Sequence, residues 1–280
     1  MDRTALGDRM KEYEKAEGGR RFLPLLPICA RIDGRSFSKW TSDLVRPYDE
    51  RLSRIMKETT RWLVEQTSAL VGYTQSDEIS LLFYSPSRKS TVFFDGRIQK
   101  LTSVLASMTT ARFNTLVPEN LPEKASYPAT FDCRVWSVPT REEAANVFLW
   151  RELDATKNSI SMAARHYYSH KQLMNKNGSE MQEMLYQKGV NWNDYPPFFK
   201  RGVFLQRKAV VRKFTADELS QLPPRHDAHK NPDLEITRHD VMEVSLPPLP
   251  RVTNRVAVLF EGAAPESETT AVATTGEMDS

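Results

Sequence analysis

Two short acidic segments contain the residues whose types could carry out chemistry. Asp33 follows the apolar run 23–32, and Asp77 lies between two further apolar runs. Two carboxylates that converge repel each other unless a cation lies between them. Magnesium suits such a site, because it prefers hard oxygen ligands and shares its remaining positions with substrate phosphates. Turn chemistry explains the same two segments, since Asp-Gly is a common turn and Ser-Asp-Glu a common hairpin loop.

The residues that follow the first carboxylate fit phosphate chemistry. Gly34 would allow the backbone to approach a metal ion or a triphosphate closely. The next four residues could hold phosphates with backbone N–H groups and hydroxyls. They are Arg35, Ser36, Phe37 and Ser38. A pair of ions held here could clamp the attacking and leaving oxygens of an in-line displacement.

The elements that must position these residues follow from the hydrophobic pattern. Strands are predicted at residues 23–32, 70–74, 79–84 and 130–138. One helix is predicted after the N-cap candidate Asp49, and a second over residues 97–116. The order β-α-β-β-α-β is that of the ferredoxin-like fold, an α+β antiparallel sheet covered by two helices. Because the first and third strands are neighbours in that sheet, we expect Asp33 and Asp77 to lie at the same edge.

The second half of the chain predicts an extension of helices and short strands. Helices are predicted at 141–171 and 179–188, a strand at 202–211, and short irregular or edge strands at 241–246 and 255–259. We therefore expect a catalytic core over residues 1–140 and an extension packed on it over residues 141–260. Residues 261–280 have no aromatic side chain and almost nothing to bury, which predicts a disordered acidic tail.

The composition is that of an ordinary soluble protein, with 40% hydrophobic and 27% charged residues. No apolar run is long enough to span a membrane, and the charged N-terminus has no signal-peptide pattern. Cys29 and Cys133 form neither a disulfide framework nor a zinc motif, so we expect a cytoplasmic location. Five acidic residues and no Lys or Arg follow residue 260, so residues 1–260 carry a net charge of +8 against +3 for the whole chain. A basic body is compatible with a nucleic-acid or polyphosphate partner.

Five segments, in order along the chain, resemble motifs of the tRNA-His guanylyltransferase family. The first two contain Asp33 and Asp77, and the third resembles the Phe-Asp-x-Arg strand of that family. The fourth resembles its Trp-Arg-x-x-Asp helix, and the fifth its Lys-(Lys/Arg)-Gly segment. They are Ala30–Phe37, Gly72–Ser80, Phe131–Val135, Trp150–Asn158 and Tyr195–Gly202. Several motifs in the right order are far more specific than any one of them.

The resemblance implies a polymerase palm that adds nucleotides to the 5′ end of tRNA in the 3′-to-5′ direction. It implies that Asp33 and Asp77 are the carboxylate ligands of two magnesium ions and that Gly34 contributes its main-chain carbonyl. Glu78 would support the site without necessarily binding metal. The implied nucleotide-binding residues are Asp33, Gly34, Arg35, Ser36, Phe37, Ser38, Ser76 and Asp77.

In the implied reaction, a tRNA with a 5′-monophosphate is first activated by ATP or GTP. The 3′-hydroxyl of the incoming GTP then attacks the activated 5′ phosphate. Candidate contacts to the triphosphate and the tRNA are mostly basic side chains. They are Arg46, Arg97, Lys100, Arg134, Asp154, Asn158, Lys200 and Arg201. The resemblance also implies a homo-oligomer, a dimer of dimers.

Residues 154–159 depart from the eukaryotic pattern of the family. Eukaryotic members carry a His-Ile-Asn-Asn-like motif there, whereas this chain matches it clearly only at Asn158 and has no histidine. The stretch is more similar to the bacterial-type branch, which is associated with templated repair of tRNA 5′ ends. Both tRNA-His maturation and general 5′-end repair therefore stay open.

Two other functions fit parts of the pattern. A palm-type nucleotide cyclase or ordinary polymerase shares the fold and the two-carboxylate site, but not the Phe-Asp-x-Arg and Trp-Arg-x-x-Asp motifs. A non-catalytic RNA-binding module of ferredoxin-like fold binds bases with aromatic residues on its sheet. Such a module would not place acidic residues at two loop tips beside that sheet.

Aromatic and histidine side chains allow fewer conclusions. Trp40 and Trp192 neighbour polar loops and are candidates for base stacking, whereas Trp150 is assigned to packing. His166 and His170 are four residues apart on a predicted helix. Without a third ligand, they predict a polar helix face rather than a zinc site.

Overall fold

Six strands and ten helices make up the parts of the chain described by a computed structural model, residues 5–231 and 233–267. The strands are β1 (Ile28–Gly34), β2 (Val71–Gln75), β3 (Glu78–Phe83), β4 (Phe131–Ser137), β5 (Val203–Lys213) and β6 (Glu235–Val244). The helices are α1 (Ala5–Gly18), α2 (Phe37–Trp40), α3 (Glu50–Thr67), α4 (Ile98–Asn120), α5 (Arg141–Tyr167), α6 (His170–Leu173), α7 (Gly178–Gln187), α8 (Pro197–Arg201), α9 (Ala216–Gln221) and α10 (Arg255–Glu261). All strands join one antiparallel sheet in the order β4-β1-β3-β2-β5-β6.

The predicted β-α-β-β-α-β unit is confirmed. It consists of β1, α3, β2, β3, α4 and β4, and its strands lie in the order β4-β1-β3-β2, so the fold is α+β with a ferredoxin-like core. Asp49 caps α3 as predicted, because its Oδ1 accepts a hydrogen bond from the Arg51 N–H at 2.9 Å. Asp33 lies opposite Glu78 in the β1–β3 register. The two acidic segments therefore meet at one end of the sheet.

Helices cover both faces of the sheet, and this explains why the first strand is apolar on both sides. Alternate residues of a strand point to opposite faces. Ile32 packs in the cluster that includes residues of α3 and α4, whereas Cys29 packs in the cluster that includes residues of α5. Both side chains are buried. A strand buried on both faces appears in the sequence as a continuous apolar run rather than an alternating one.

Helix α5 brings polar side chains to the acidic end of the sheet. It is 27 residues long, and the Thr140 side chain caps it by accepting a hydrogen bond from the Glu143 N–H. Ala144 and Phe148 pack against the sheet, and one turn further on Arg151 reaches Glu78. No helix in the two described ranges combines the length and the apolar composition that a membrane span needs.

The segment beyond residue 140 adds two strands to the same sheet. β5 pairs with β2, and β6 pairs with β5, so the predicted division at residue 140 falls within one continuous sheet. β5 agrees with the strand predicted at 202–211, whereas β6, with 10 residues, is longer than the short strand predicted at 241–246. Residues 255–259, predicted as an irregular or edge strand, instead lie in α10 and pack near α5. A short apolar run fits either element, and tertiary packing decides between them.

The disorder predicted for residues 261–280 is wrong for residues 261–267. Glu261 ends α10, and the chain then turns back along the segment before that helix. The Thr253 N–H donates a hydrogen bond to the Glu266 carbonyl at 2.8 Å, and Ser267 bridges to Val252. These backbone contacts order the segment although it buries little. Residues 268–280 lie outside the described residues.

Glu152 on α5 predicts a pH-dependent stability. The residue is 4% exposed, and its Oε1 accepts a hydrogen bond from the Leu249 N–H at 3.0 Å. Burial raises the pKa of Glu152 from its ordinary 4.5 to about 7. Between these pH values the folded chain holds a proton that the unfolded chain has lost, so stability falls as the pH rises. We expect this group to lower the free energy of unfolding by about 2–3 kcal/mol between pH 5 and pH 8.

Glu152→Gln keeps the acceptor oxygen and removes the titration. Urea unfolding of both proteins at pH 5 and pH 8, in metal-free buffer, measures the difference. Relative to the variant, the wild-type chain should lose about 2–3 kcal/mol at the higher pH. The same pH dependence in both proteins would show that Glu152 does not titrate in this window.

Candidate active site

Asp33 and Asp77 converge at one end of the sheet. Asp33 is the penultimate residue of β1, and Asp77 lies in the two-residue turn between β2 and β3, after Ser76 with φ at 55°. The Asp77 Oδ2 atom lies 2.8 Å from the position that a Cβ atom on residue 34 would take. Only glycine at position 34 lets this carboxylate approach the end of β1 so closely. The structure thus brings together the three residues predicted to form a metal site.

The two carboxylates lack a cationic partner. Among the described residues, no Lys, Arg or His side chain forms an ion pair with Asp33 or Asp77. Burial and, after it, the charge of Asp33 raise the pKa of Asp77 from its ordinary 3.8 to about 6, although a hydrogen bond from the Ser76 hydroxyl lowers it. The ionised pair is therefore unfavourable as it stands. A divalent cation between the two groups would remove this cost.

The donor atoms at this point fit a hard cation such as magnesium. Two carboxylates and the main-chain carbonyl of Gly34 offer only oxygen atoms. The described residues contain no group of three or more His, Cys, Asp or Glu side chains placed to hold a metal. An ion here would complete its coordination with water and substrate oxygens, as magnesium does when it binds with phosphates.

Glu78, directly after Asp77, is already neutralised by an arginine. Arg151 Nε and Nη2 donate to its two carboxylate oxygens at 2.6 and 2.8 Å. Burial still raises the pKa of Glu78, more than Arg151 lowers it. Arg151 also contacts Asp154 at 3.0 Å, and Asn158 donates to the same carboxylate at 3.2 Å. Glu78, Asp154 and Asn158 thus form a polar network that braces the end of the sheet.

A cavity of about 780 Å³ opens beside Asp33 and Asp77. Of the predicted nucleotide-binding residues, the ones that line it are Asp33, Gly34, Ser36, Phe37, Ser38, Ser76 and Asp77. Phe37 is largely a core residue, because its ring packs on Trp40, Phe113 and Phe131. Arg35 does not line the cavity. The volume and the mixed polar and apolar walls are those of a small-molecule site.

Fourteen of the 22 residues that line the cavity were not among the site residues predicted from the sequence. The additional lining residues are Thr41, Leu44, Val45, Pro47, Tyr48, Asp49, Leu52, Ser53, Gln75, Met162, Arg165, His166, Phe198 and Phe199. The lining residues between 41 and 49 belong to the loop between α2 and α3, those at 52 and 53 to the start of α3, and Gln75 to the end of β2. The others come from α5 and α8. His166, predicted to lie on a polar helix face, is exposed on α5 and also borders this cavity. Gln75, Phe198 and Phe199 lie within the motif segments, but no local pattern shows that these fourteen positions meet in one cavity of the folded chain.

The predicted basic contacts separate into those at the site and those away from it. Arg46 lines the cavity, and its Nη2 donates to the Thr41 carbonyl at 2.8 Å. Lys200 is turned away, since its Nζ donates to the Asn193 carbonyl and lies 5.8 Å from the Trp192 ring. Burial lowers the pKa of Lys200. The carbonyl of Arg201 accepts a hydrogen bond from the buried Tyr73 hydroxyl at 2.6 Å.

Arg97 and Lys100 do not reach the site. They lie at the start of α4, where Arg97 forms a bridge with Arg21. The second half of α4 lies beside the start of β4, the end of the sheet that carries Asp33. A helix of 23 residues is about 34 Å long, so its first turn is at the opposite end. Arg97 and Lys100 therefore lie away from the candidate triphosphate site, and a contact of these two residues with the tRNA stays a prediction.

Comparisons with known proteins agree with this geometry. A family model described as tRNAHis guanylyltransferase matches residues 7–139. A solved bacterial tRNA(His) guanylyltransferase (Thg1)-like protein, in complex with ATP, is 40% identical with a TM-score of 0.68, over 73% of this chain and 87% of that one. The chain belongs to the tRNA-His guanylyltransferase family. It is therefore a nucleotidyltransferase.

Further members of the guanylyltransferase family show the same relationship. A second solved bacterial Thg1-like protein, in complex with GTP, is 32% identical with a TM-score of 0.68, over 88% of this chain and 94% of that one. The tRNA(His) guanylyltransferase of Saccharomyces cerevisiae is 27% identical over 68% of this chain and 86% of its own length. Family membership favours nucleotidyl transfer over both alternatives, the cyclase or ordinary polymerase and the non-catalytic RNA-binding module.

Proposed function

We propose that this guanylyltransferase adds a nucleotide from GTP to the 5′ end of tRNA in the 3′-to-5′ direction, with two magnesium ions. One observation carries the proposal. Asp33 and Asp77, two carboxylates without a cationic partner in the described part of the chain, converge at Gly34 beside a cavity of about 780 Å³. Bound magnesium would polarise the reacting phosphate and orient the attacking and leaving oxygens.

The residues of the cavity have distinct tasks in this proposal. Asp33 and Asp77 hold the metal ions, together with the main-chain carbonyl of Gly34. The hydroxyls of Ser36, Ser38 and Ser76 line the cavity where the phosphates of a nucleotide would lie. Donors fixed by a folded loop stabilise developing charge without reorganising during the reaction.

Two nucleotide sources and an RNA acceptor complete the proposal. The solved relatives were captured with ATP and with GTP. We propose that either nucleotide activates a 5′-monophosphorylated tRNA and that GTP is then added. Arg46, at the cavity wall, is placed to contact a triphosphate. A dimer of dimers stays an expectation from the family resemblance, and a cytoplasmic location stays an expectation from the cysteine content.

The preferred substrate in this proposal is any tRNA with an incomplete 5′ end, rather than tRNA-His alone. The two bacterial Thg1-like structures are 40% and 32% identical to this chain, whereas the Saccharomyces cerevisiae enzyme is 27% identical. The sequence around Asn158 also lacks the eukaryotic motif. Both observations support the branch associated with 5′-end repair.

A substrate series tests this proposal. Truncated tRNA-His and several other tRNAs, each lacking the first nucleotide and carrying a 5′-monophosphate, are incubated with labelled GTP, ATP and magnesium. Extension of all of them at similar rates, abolished by EDTA and restored by magnesium, is expected. Extension of tRNA-His alone would restrict the enzyme to tRNA-His maturation, and addition that persists in EDTA would contradict the metal assignment.

A further inference from the structure

Trp150 on α5 is exposed, although the sequence assigned it to packing. Its side chain is 51% exposed, whereas Trp192, a predicted stacking candidate, is 9% exposed. Trp192 packs in a separate cluster, where its Nε1 donates to Ser159 Oγ at 3.2 Å. An exposed apolar side chain is ordinary by itself. The surroundings of Trp150 are what suggest a ligand.

Two arginines flank the Trp150 ring. The Cζ atom of Arg151 lies 4.5 Å from the ring centroid, and the Cζ atom of Arg31 lies 5.7 Å from it. Arg151 is committed to Glu78 and Asp154. Arg31 forms a longer ion pair with Glu78, with its Nε 4.0 Å from Oε2, and this buried Nε has no hydrogen-bond partner among the described residues. The indole therefore lies beside a guanidinium with unused hydrogen-bonding capacity.

A third arginine lies on the same strip of the sheet. Arg134 is directly opposite Arg31 in the β1–β4 register, just as Asp132 is opposite Asp33. β4 is an edge strand, and the Arg134 side chain is 57% exposed. Residues directly opposite each other in an antiparallel pair share a face. The two arginines and Trp150 therefore border the catalytic carboxylate of Asp33 on its β4 side.

The nucleotide cavity lies on the other side of the carboxylates. Its walls come from residues 34–53, the β2–β3 turn and parts of α5 and α8, and they include no residue of β4. A nucleotide in the cavity and a ligand near Trp150 would thus approach Asp33 and Asp77 from two directions. The reacting end of the RNA must approach the two carboxylates from the side that the bound nucleotide does not occupy.

We propose that Trp150 stacks an unpaired base of the single-stranded 3′ end of the tRNA acceptor, with Arg31 and Arg134 facing its phosphates. This inference rests on the proposed function. The 3′ strand of a tRNA continues past the 5′ nucleotide as a single strand, so a 5′ phosphate held at Asp33 and Asp77 brings unpaired bases near. Unpaired RNA bases are typically bound by stacking on aromatic side chains and arginine planes.

The charges favour RNA over a second copy of the chain at this surface. Arg31 and Arg134 lie opposite each other and give this strip two neighbouring positive charges, which the same surface of a second copy would repel. Phosphate groups complement both guanidinium groups. Leu153, which is also exposed, extends the apolar part of the patch along α5.

The test compares two forms of one tRNA, both lacking the first 5′ nucleotide. One has the complete 3′ single strand, and the other ends at the last base pair. Nucleotide addition is measured for the wild type, Trp150→Ala, Trp150→Phe and the control Tyr186→Ala, whose exposed ring lies on α7. Loss of one stacked base should raise the KM for the complete tRNA about tenfold in Trp150→Ala.

The pattern across these variants separates stacking from other roles. The kcat, the KM for GTP and the KM for the shortened tRNA should stay unchanged in Trp150→Ala, and Trp150→Phe should retain most of the affinity. Equal KM values of wild type and Trp150→Ala for the complete tRNA, or an equal rise for both tRNAs, would overturn the proposal. So would a smaller oligomer of Trp150→Ala in light scattering, because it would assign the ring to a subunit contact.

A failure of the proposed function itself would appear as no addition by the wild type. Binding of a labelled four-nucleotide RNA with the tRNA 3′-end sequence, measured by fluorescence anisotropy, then tests the stacking alone. Tighter binding by the wild type than by Trp150→Ala supports the proposal. Equal binding overturns it.

Discussion

Asp77→Asn is expected to slow nucleotide addition by about a thousandfold, equivalent to about 4 kcal/mol of lost transition-state stabilisation. The carboxylate lies at the turn beside Gly34 and has no cationic partner among the described residues. The amide has nearly the same shape, but it removes a charge and one ligand oxygen. Single-turnover addition of labelled GTP at saturating magnesium measures the loss directly.

The stability of Asp77→Asn separates a chemical effect from a folding effect. The substitution removes the repulsion from Asp33 that helps raise the pKa of Asp77 to about 6. The metal-free variant should therefore unfold at the same temperature as the wild type or a higher one. Asp217→Asn, at an exposed position in α9, is the matched control and should keep full activity. A rate above about a tenth of wild type would contradict the metal-ligand assignment.

Gly34→Ala is expected to lower activity by about a hundredfold while the chain still folds, because misplacing a catalytic group by about 1 Å costs this much. The new methyl group would lie 2.8 Å from both Asp77 Oδ2 and Phe37 Cγ. The carboxylate and the aromatic ring must both move to accommodate it. The shift of Asp77 moves a ligand oxygen out of its position in the proposed metal site, and the shift of Phe37 disturbs the loop that lines the nucleotide cavity.

Gly178→Ala is the matched control for this substitution. Its Cβ atom would meet nothing closer than 3.8 Å, so the variant should have wild-type activity and stability. For Gly34→Ala, addition rates and magnesium titrations should both be measured. Full activity at an unchanged magnesium requirement would show that the close approach of Asp77 to Gly34 is not needed for the reaction.

The residues at the acidic end of the sheet could be predicted from the sequence, because local sequence features identify them. Asp33 and Asp77 each follow an apolar strand, and strand order in a ferredoxin-like sheet places them together. The N-cap Asp49 and the β2–β3 hairpin follow from equally local rules. Such features depend on neighbours within a few residues, so the pattern of one sequence is sufficient.

The residues of the cavity wall could not be predicted in this way, because the wall depends on contacts between distant segments. Tyr48, Arg165 and Phe199 come from three parts of the chain and carry no shared motif. The sequence places Arg97 on a helix but does not show which end of that helix faces the site. Trp150 was assigned to packing for a similar reason, since the apolar pattern of α5 does not show which of its side chains are covered by other elements. Tertiary packing decides each of these cases.

The position of the added nucleotide shows directly whether the enzyme extends the 5′ end of tRNA with the help of Asp77. A 5′-monophosphorylated tRNA that lacks its first nucleotide is incubated with α-labelled GTP, ATP and magnesium, and the product is digested to locate the label. We expect a label in the 5′-terminal nucleotide for the wild type and almost none for Asp77→Asn. A label at the 3′ end, or 5′ addition that Asp77→Asn leaves unchanged, would contradict this expectation.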